Sequence, residues 1–100
     1  MAKQVVWTIK AQADRKDIFK YWYNRNKSTA YSKKLNEFFK ENLKVVSKRP
    51  YIGKKTNKEN VRAIIIRDYM IFYEITTHHI VVLVVWDCNQ DPDKNILIGE

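Results

Sequence analysis

A chain of 100 residues that is 45% apolar, with two glycines and two prolines, has enough material for one core and no composition for a linker or low-complexity tail. The longest apolar run, Ile80 to Trp86, is too short to cross a bilayer, no signal peptide is visible at the amino end, and the lone Cys88 excludes an intrachain disulfide. A net charge of +8 favours polyanions and acidic proteins as partners, so the expectation is one soluble cytoplasmic domain over residues 1–100.

The charge is unevenly spread. Residues 1–67 hold 18 of the 19 Lys/Arg and five acids, a balance of +13, whereas residues 68–100 hold Lys94 against six acids, a balance of −5. Any basic footprint therefore belongs to the first two-thirds of the chain.

Val5 to Ile9 is β-branched and aromatic, which suits a strand. From Ala11 the spacing of Ala11, Ile18 and Trp22 turns helical, with Asp14 and Asp17 near the start of the segment and Arg25 at its end, as the helix dipole prefers. Asn24 to Lys27 contains the break. Ser28 or Thr29 can cap a second helix, whose stripe is Tyr31, Leu35, Phe38, Phe39, Leu43 and Val46, and Pro50 ends it. Lys54 to Asn60 reads as a polar loop. Strands then run from Val61 to Ile66, Tyr69 to Thr76 and Ile80 to Asp87, joined by short connections at Arg67-Asp68 and Thr77-His78-His79. The order β-α-α-β-β-β predicts an α+β fold, a helical hairpin packed on one face of a mostly antiparallel sheet.

In the last two strands both alternating sets are apolar. Tyr69, Ile71, Tyr73 and Ile75 oppose Met70 and Phe72, and Ile80, Val82, Val84 and Trp86 oppose Val81, Leu83 and Val85. Two helices cover one face only. The other is either curled onto a second small core or covered by another chain.

Trp7-Thr8, Ala11 or Ala13, a helix ending in Tyr21-Trp22-Tyr23, Pro50 with Gly53, Val61-Arg62, Asp68 to Ile75 and Gln90-Asp91-Pro92 occur in an order that resembles the RelE/ParE superfamily of bacterial toxins. The likeness spans roughly residues 5 to 93. The resemblance implies the toxin of a type II toxin–antitoxin system, with an antitoxin segment lying across a groove of the toxin. It implies one of two mechanisms: RelE-like cleavage of ribosome-bound mRNA without a metal, or ParE-like poisoning of DNA gyrase. A basic nucleic-acid-binding module, non-toxic or degenerate, is the alternative from another class.

Metal-free RNA cleavage needs a base for the 2′-hydroxyl, a cation for the phosphorane and an acid for the leaving oxygen. Arg62 is the candidate catalytic residue, because its planar fork suits phosphate. It alternates with Ile64 and Ile66, and it equally suits a strand-edge arginine or the partner of a structural acid. Lys54, Lys55, Lys58 and Arg67 are the candidate RNA-binding residues, against the plainer reading of a solvated loop and turn. Glu59 is a candidate base or a surface residue. His78 and His79 are expected to lie far from the arginine and make no metal motif, so neither metal nor cofactor is expected. The segment Asp87 to Pro92 holds no His, Tyr or Arg where several RelE-like nucleases keep one, and the spacing from Arg62 to Tyr69 is more similar to ParE-type sequences. Asp87 is a candidate partner for Arg62 or Arg67, and Cys88 is expected to be partly buried.

Overall fold

The computed structural model describes residues 2–88. The expected Gln90-Asp91-Pro92 signature lies outside the described residues. The elements are β1 (Gln4–Trp7), α1 (Ile9–Asn26), α2 (Ala30–Lys48), a 3₁₀ turn (Pro50–Ile52), β2 (Lys54–Lys55), β3 (Val61–Ile66), β4 (Tyr69–Ile75) and β5 (His79–Asp87). They form an α+β fold with a five-stranded sheet in the order β1-β5-β4-β3-β2. β1 runs parallel to β5, and every other neighbouring pair is antiparallel.

The first strand ends two residues earlier than its β-branched composition suggests. Thr8 is the reason: its hydroxyl accepts from the Ala11 amide at 3.0 Å, a side-chain N-cap that starts α1 at Ile9. Asp14 therefore falls beyond the first turn, where the dipole has little hold, and serves elsewhere. Its Oδ2 accepts from the Val85 amide at 3.1 Å and pins α1 to β5. Lys27 closes α1 in the left-handed region at φ 55°.

α2 buries the stripe its periodicity announces: Leu35, Phe39, Leu43 and Val46 are all at most 2% exposed. Leu35, Phe39 and Leu43 meet Ile66, Tyr69, Ile71, Val82 and Val85 from the sheet, while Val46 meets Tyr73, Ile75 and Ile80. Of the expected stripe, Tyr31 and Phe38 pack at its margin, half-buried.

Two departures have clear causes. The expected polar loop after Gly53 contains β2, whose Lys54 and Lys55 pair with Ala63 and Arg62. Lysine's low strand propensity hides a two-residue pairing that the turn before it delivers. The second departure is a β-bulge in β5 opposite Phe72 and Tyr73, which pair with Val84 and Val82. The extra residue, Leu83, reverses the alternation after it. Val85 thus joins the helix-side core, and Val84 and Trp86 move to the outer face with Met70 and Phe72.

The outer face curls onto a second small core, in which Phe72 is 1% and Ala63 7% exposed against Met70, Val84 and Trp86. Among the described residues, no helix is long and apolar enough to cross a membrane.

Candidate functional site

β3 carries Arg62 on the helix side, in register with Tyr73 of β4 and Lys55 of β2. Just beyond α2, Pro50 redirects the chain through the 3₁₀ turn and brings carbonyl oxygens over this strand. Arg62 Nη1 donates to the Gly53 carbonyl at 2.9 Å and the Tyr51 carbonyl at 3.1 Å, with its guanidinium 5.0 Å from the Tyr51 ring. The fully buried Tyr73 completes the knot. Its hydroxyl accepts from the Gly53 amide at 3.0 Å and donates to the Pro50 carbonyl at 2.7 Å. Gly53 is required here by close approach, because a Cβ would collide with the Tyr73 hydroxyl and sit 2.9 Å from the Ala63 carbonyl.

Burial pushes the Tyr73 phenol above its usual range, and the Gly53 amide and the Arg62 charge oppose that rise only in part. Tyr73 is a neutral bridge at physiological pH, with its proton committed to a carbonyl. The Arg62 fork holds the post-helical turn.

Lys54 and Lys55 stand beside Arg62 on the edge strand, exposed, and Lys58 and Glu59 follow in the exposed connection to β3. Arg67 is elsewhere. It sits in the β3–β4 turn at φ 60°, with its guanidinium 4.2 Å from the Phe38 ring. Five residues of strand, about 17 Å, separate it from Arg62.

His78 lies in the β4–β5 connection and His79 opens β5, a strand separated from β3 by β4. β4 runs antiparallel to β3, so the β4–β5 connection returns to the Arg62 end, where the Ile75 amide donates to the Asn60 carbonyl. Its geometry is that of a built turn. Thr76 Oγ1 accepts from the His79 amide at 3.0 Å, and Lys3 Nζ donates to the Thr76 and Thr77 carbonyls. No group of His, Cys, Asp and Glu among the described residues is arranged to hold a metal. Asp87 pairs in register with Tyr69 at the opposite end, which rules out an ion pair with Arg62. Cys88 is exposed rather than partly buried; its amide donates to the Asp68 carbonyl at 2.9 Å.

Two concave regions flank the sheet. A cleft of about 570 Å³ opens between α1 and the β4–β5 end, walled by Tyr21, Trp22, Trp86 and the carboxylates Asp17, Asp68 and Asp87. Trp22 donates its indole N–H to the Tyr69 hydroxyl at 2.8 Å. A smaller groove of about 270 Å³ lies between α2, the 3₁₀ turn and β3.

A family model described as the ParE toxin of the type II toxin–antitoxin system, parDE, matches residues 5–92. The chain belongs to this family of ParE toxins. It is the toxin of a type II pair, neutralised by an antitoxin, and membership implies a cognate ParD antitoxin as partner. Among solved structures, the toxin fold matches a chain of the chromosomal ParDE toxin–antitoxin system from P. aeruginosa with a TM-score of 0.71. That match has 18% sequence identity and covers 86% of this toxin and 96% of the other chain. No curated protein matches the toxin sequence.

The resemblance read from sequence therefore led to the right superfamily and left its RelE-like and ParE-like branches open; the family match supplies the ParE assignment. Missed were Tyr51, Gly53 and Tyr73 as the setting of Arg62. Pro50 and Gly53 mark the turn itself, but the groups it offers Arg62 are backbone carbonyls, which carry no sequence signal.

Proposed function

We propose that this ParE-family toxin arrests growth through a protein target, DNA gyrase, rather than by cutting RNA. It acts in the cytoplasm as one domain over residues 1–100 and is held inert by its antitoxin. The observation that carries the choice of target is the state of Arg62. A phosphorane-stabilising arginine must present its fork to a scissile phosphate, whereas here Nη1 is committed to the carbonyls of Tyr51 and Gly53. The tyrosine beside it is buried, raised in pKa and bonded on both sides, so it supplies neither base nor acid.

One observation favours the second reading, ribosome-dependent mRNA cleavage. Lys55 pairs with Arg62 and Lys54 precedes it, giving an exposed cationic strip that continues to Lys58. In that reading Arg62 stabilises the phosphorane and the three lysines hold the RNA backbone, while Arg67, at the far end of β3, serves as an outlying contact.

Induction without the antitoxin separates these readings. Gyrase poisoning gives arrest with DNA breaks trapped on gyrase and intact transcripts. Cleavage at codon positions on translating ribosomes, abolished by Arg62→Ala, would overturn it. Growth left untouched would point to an inert basic module.

A further inference from the structure

A third hollow lies on the helical hairpin itself, a groove of about 700 Å³ between the first half of α1 and the middle of α2. Its walls include Gln12, Arg15 and Lys16 from α1 and Asn36 and Lys40 from α2. Helical spacing makes the surrounding face cationic. Lys20 follows Lys16 by one turn, Lys44 follows Lys40 by one turn, and Lys33 precedes Asn36 by one. All five lysines are exposed. Glu37 is 4.0 Å from Lys40 Nζ with both side chains largely in water, a pairing too exposed to neutralise the face.

Two side chains in the groove are short of partners. The Arg15 guanidinium is half-buried, 4.1 Å from the centre of the Trp7 ring, and no carboxylate or carbonyl of the described residues meets it. Burial pulls its pKa below the ordinary value, because the charge has lost water without gaining an anion. Asn36 has its Oδ1 buried with no donor, and its NH2 makes no hydrogen bond to the described residues. A half-turn of that amide therefore brings the NH2 inward without breaking a bond.

A charged fork, an amide donor and a ring of ammonium groups suit an anion with many acceptor oxygens. Two features select which polyanion. Protein interfaces are depleted in lysine, the commonest charged side chain on this face. The groove also lacks an exposed ring on which an unpaired base could stack: Trp7 lies beneath Arg15, and Phe19 is half-buried against Phe39. What remains is the sugar–phosphate backbone of a duplex, which is held by charge and geometry without base contacts.

We propose that the α1–α2 groove binds the phosphodiester backbone of duplex DNA, with Arg15, Lys16 and Lys40 on phosphates and Lys20, Lys33 and Lys44 widening the contact. The site does not depend on which target the toxin has. With gyrase as the target, it sets the helical hairpin on the DNA that gyrase holds.

The test is the fluorescence anisotropy of a short labelled duplex, titrated with purified free toxin at about 50 and 200 mM salt. Three phosphate contacts predict an affinity about 40-fold weaker at the higher salt. Lys16→Ala combined with Lys40→Ala, two exposed changes, is expected to weaken binding about tenfold or more at the lower salt and to reduce the salt effect about 12-fold. Arg15→Met keeps an aliphatic stem over Trp7 while removing the charge, and is expected to cost about tenfold. Lys54→Ala with Lys55→Ala removes equal charge from the edge strand; a loss as large as that of the groove pair would overturn the proposal. In the unmodified toxin the duplex shifts the side-chain NH2 resonances of Asn36, a readout independent of any variant's folding, and resonances that stay in place at saturation would overturn it too. Single-stranded RNA bound about tenfold more tightly than the duplex, or polyglutamate bound as tightly, would give the face to another partner and refute the DNA assignment. Gyrase is absent from this titration, so a toxin that ignores DNA sinks the groove and leaves the choice of target to the induction experiment.

Discussion

Tyr73 shows how one hydroxyl can decide the path of a chain. It satisfies the Gly53 amide and the Pro50 carbonyl on either side of a turn that must reverse direction immediately after α2. Tyr73→Phe keeps the ring and its packing but strands those two backbone groups near the core. A loss of about 3 kcal/mol in unfolding free energy follows from two unsatisfied groups, and denaturant titration of the two proteins measures it. A loss below about 1 kcal/mol, the worth of one ordinary hydrogen bond, would mean that water replaces the hydroxyl. Arg62 was legible in sequence as sharing a sheet face with Ile64 and Ile66, because its alternation with them is plain. Its partners were not legible: they are carbonyl oxygens from positions 51 and 53, and carbonyls leave no mark on a sequence.

At the scale of elements, the helical hairpin and the three long strands follow from periodicity, and both unread features lie where periodicity carries no phase. In β5 the sets Ile80-Val82-Val84 and Val81-Leu83-Val85 are equally apolar, so the alternation cannot register a bulge. The bulge nevertheless has a structural partner. β1 pairs with β5 only as far as Val82, and from there α1 takes over the strand: Thr8 Oγ1 donates to the Leu83 carbonyl at 3.2 Å, and Asp14 accepts from the Val85 amide. Asp14 also pairs with Lys10 one turn earlier, its side chain 15% exposed. Asp14→Ala should then cost about 1–2 kcal/mol and raise amide exchange at Val85 selectively. Asp14→Asn keeps an acceptor oxygen and should recover most of the loss. Equal exchange in the two variants would show that α1 is held by its apolar contacts alone.

For the molecule as a whole, the division into a basic front and an acidic back was the most readable property, since charge needs no folding to be counted. The fold turns it into opposed regions: a cationic strip on β2 beside Arg62, and the carboxylates of Asp68 and Asp87 at the other end of the sheet. Those carboxylates also act on stability through Tyr69. Burial pushes its phenol up, and Asp87 and Asp68 add to the rise, against a downward pull from the Trp22 hydrogen bond. Tyr73 is raised as well, again mainly by burial. In both cases the folded state holds the phenolic proton more tightly than the unfolded chain, whose value is the ordinary 10.0. The two tyrosines therefore contribute fully at neutral pH, and their contribution is lost as pH climbs past 10 towards the folded values. A thermal unfolding midpoint that falls between pH 9.5 and 11.5, with a shallower fall in Tyr69→Phe, would show that the buried phenols dominate. A midpoint that holds steady or rises across that window, equally in both proteins, would show that the folded state does not hold these phenolic protons more tightly than the unfolded chain.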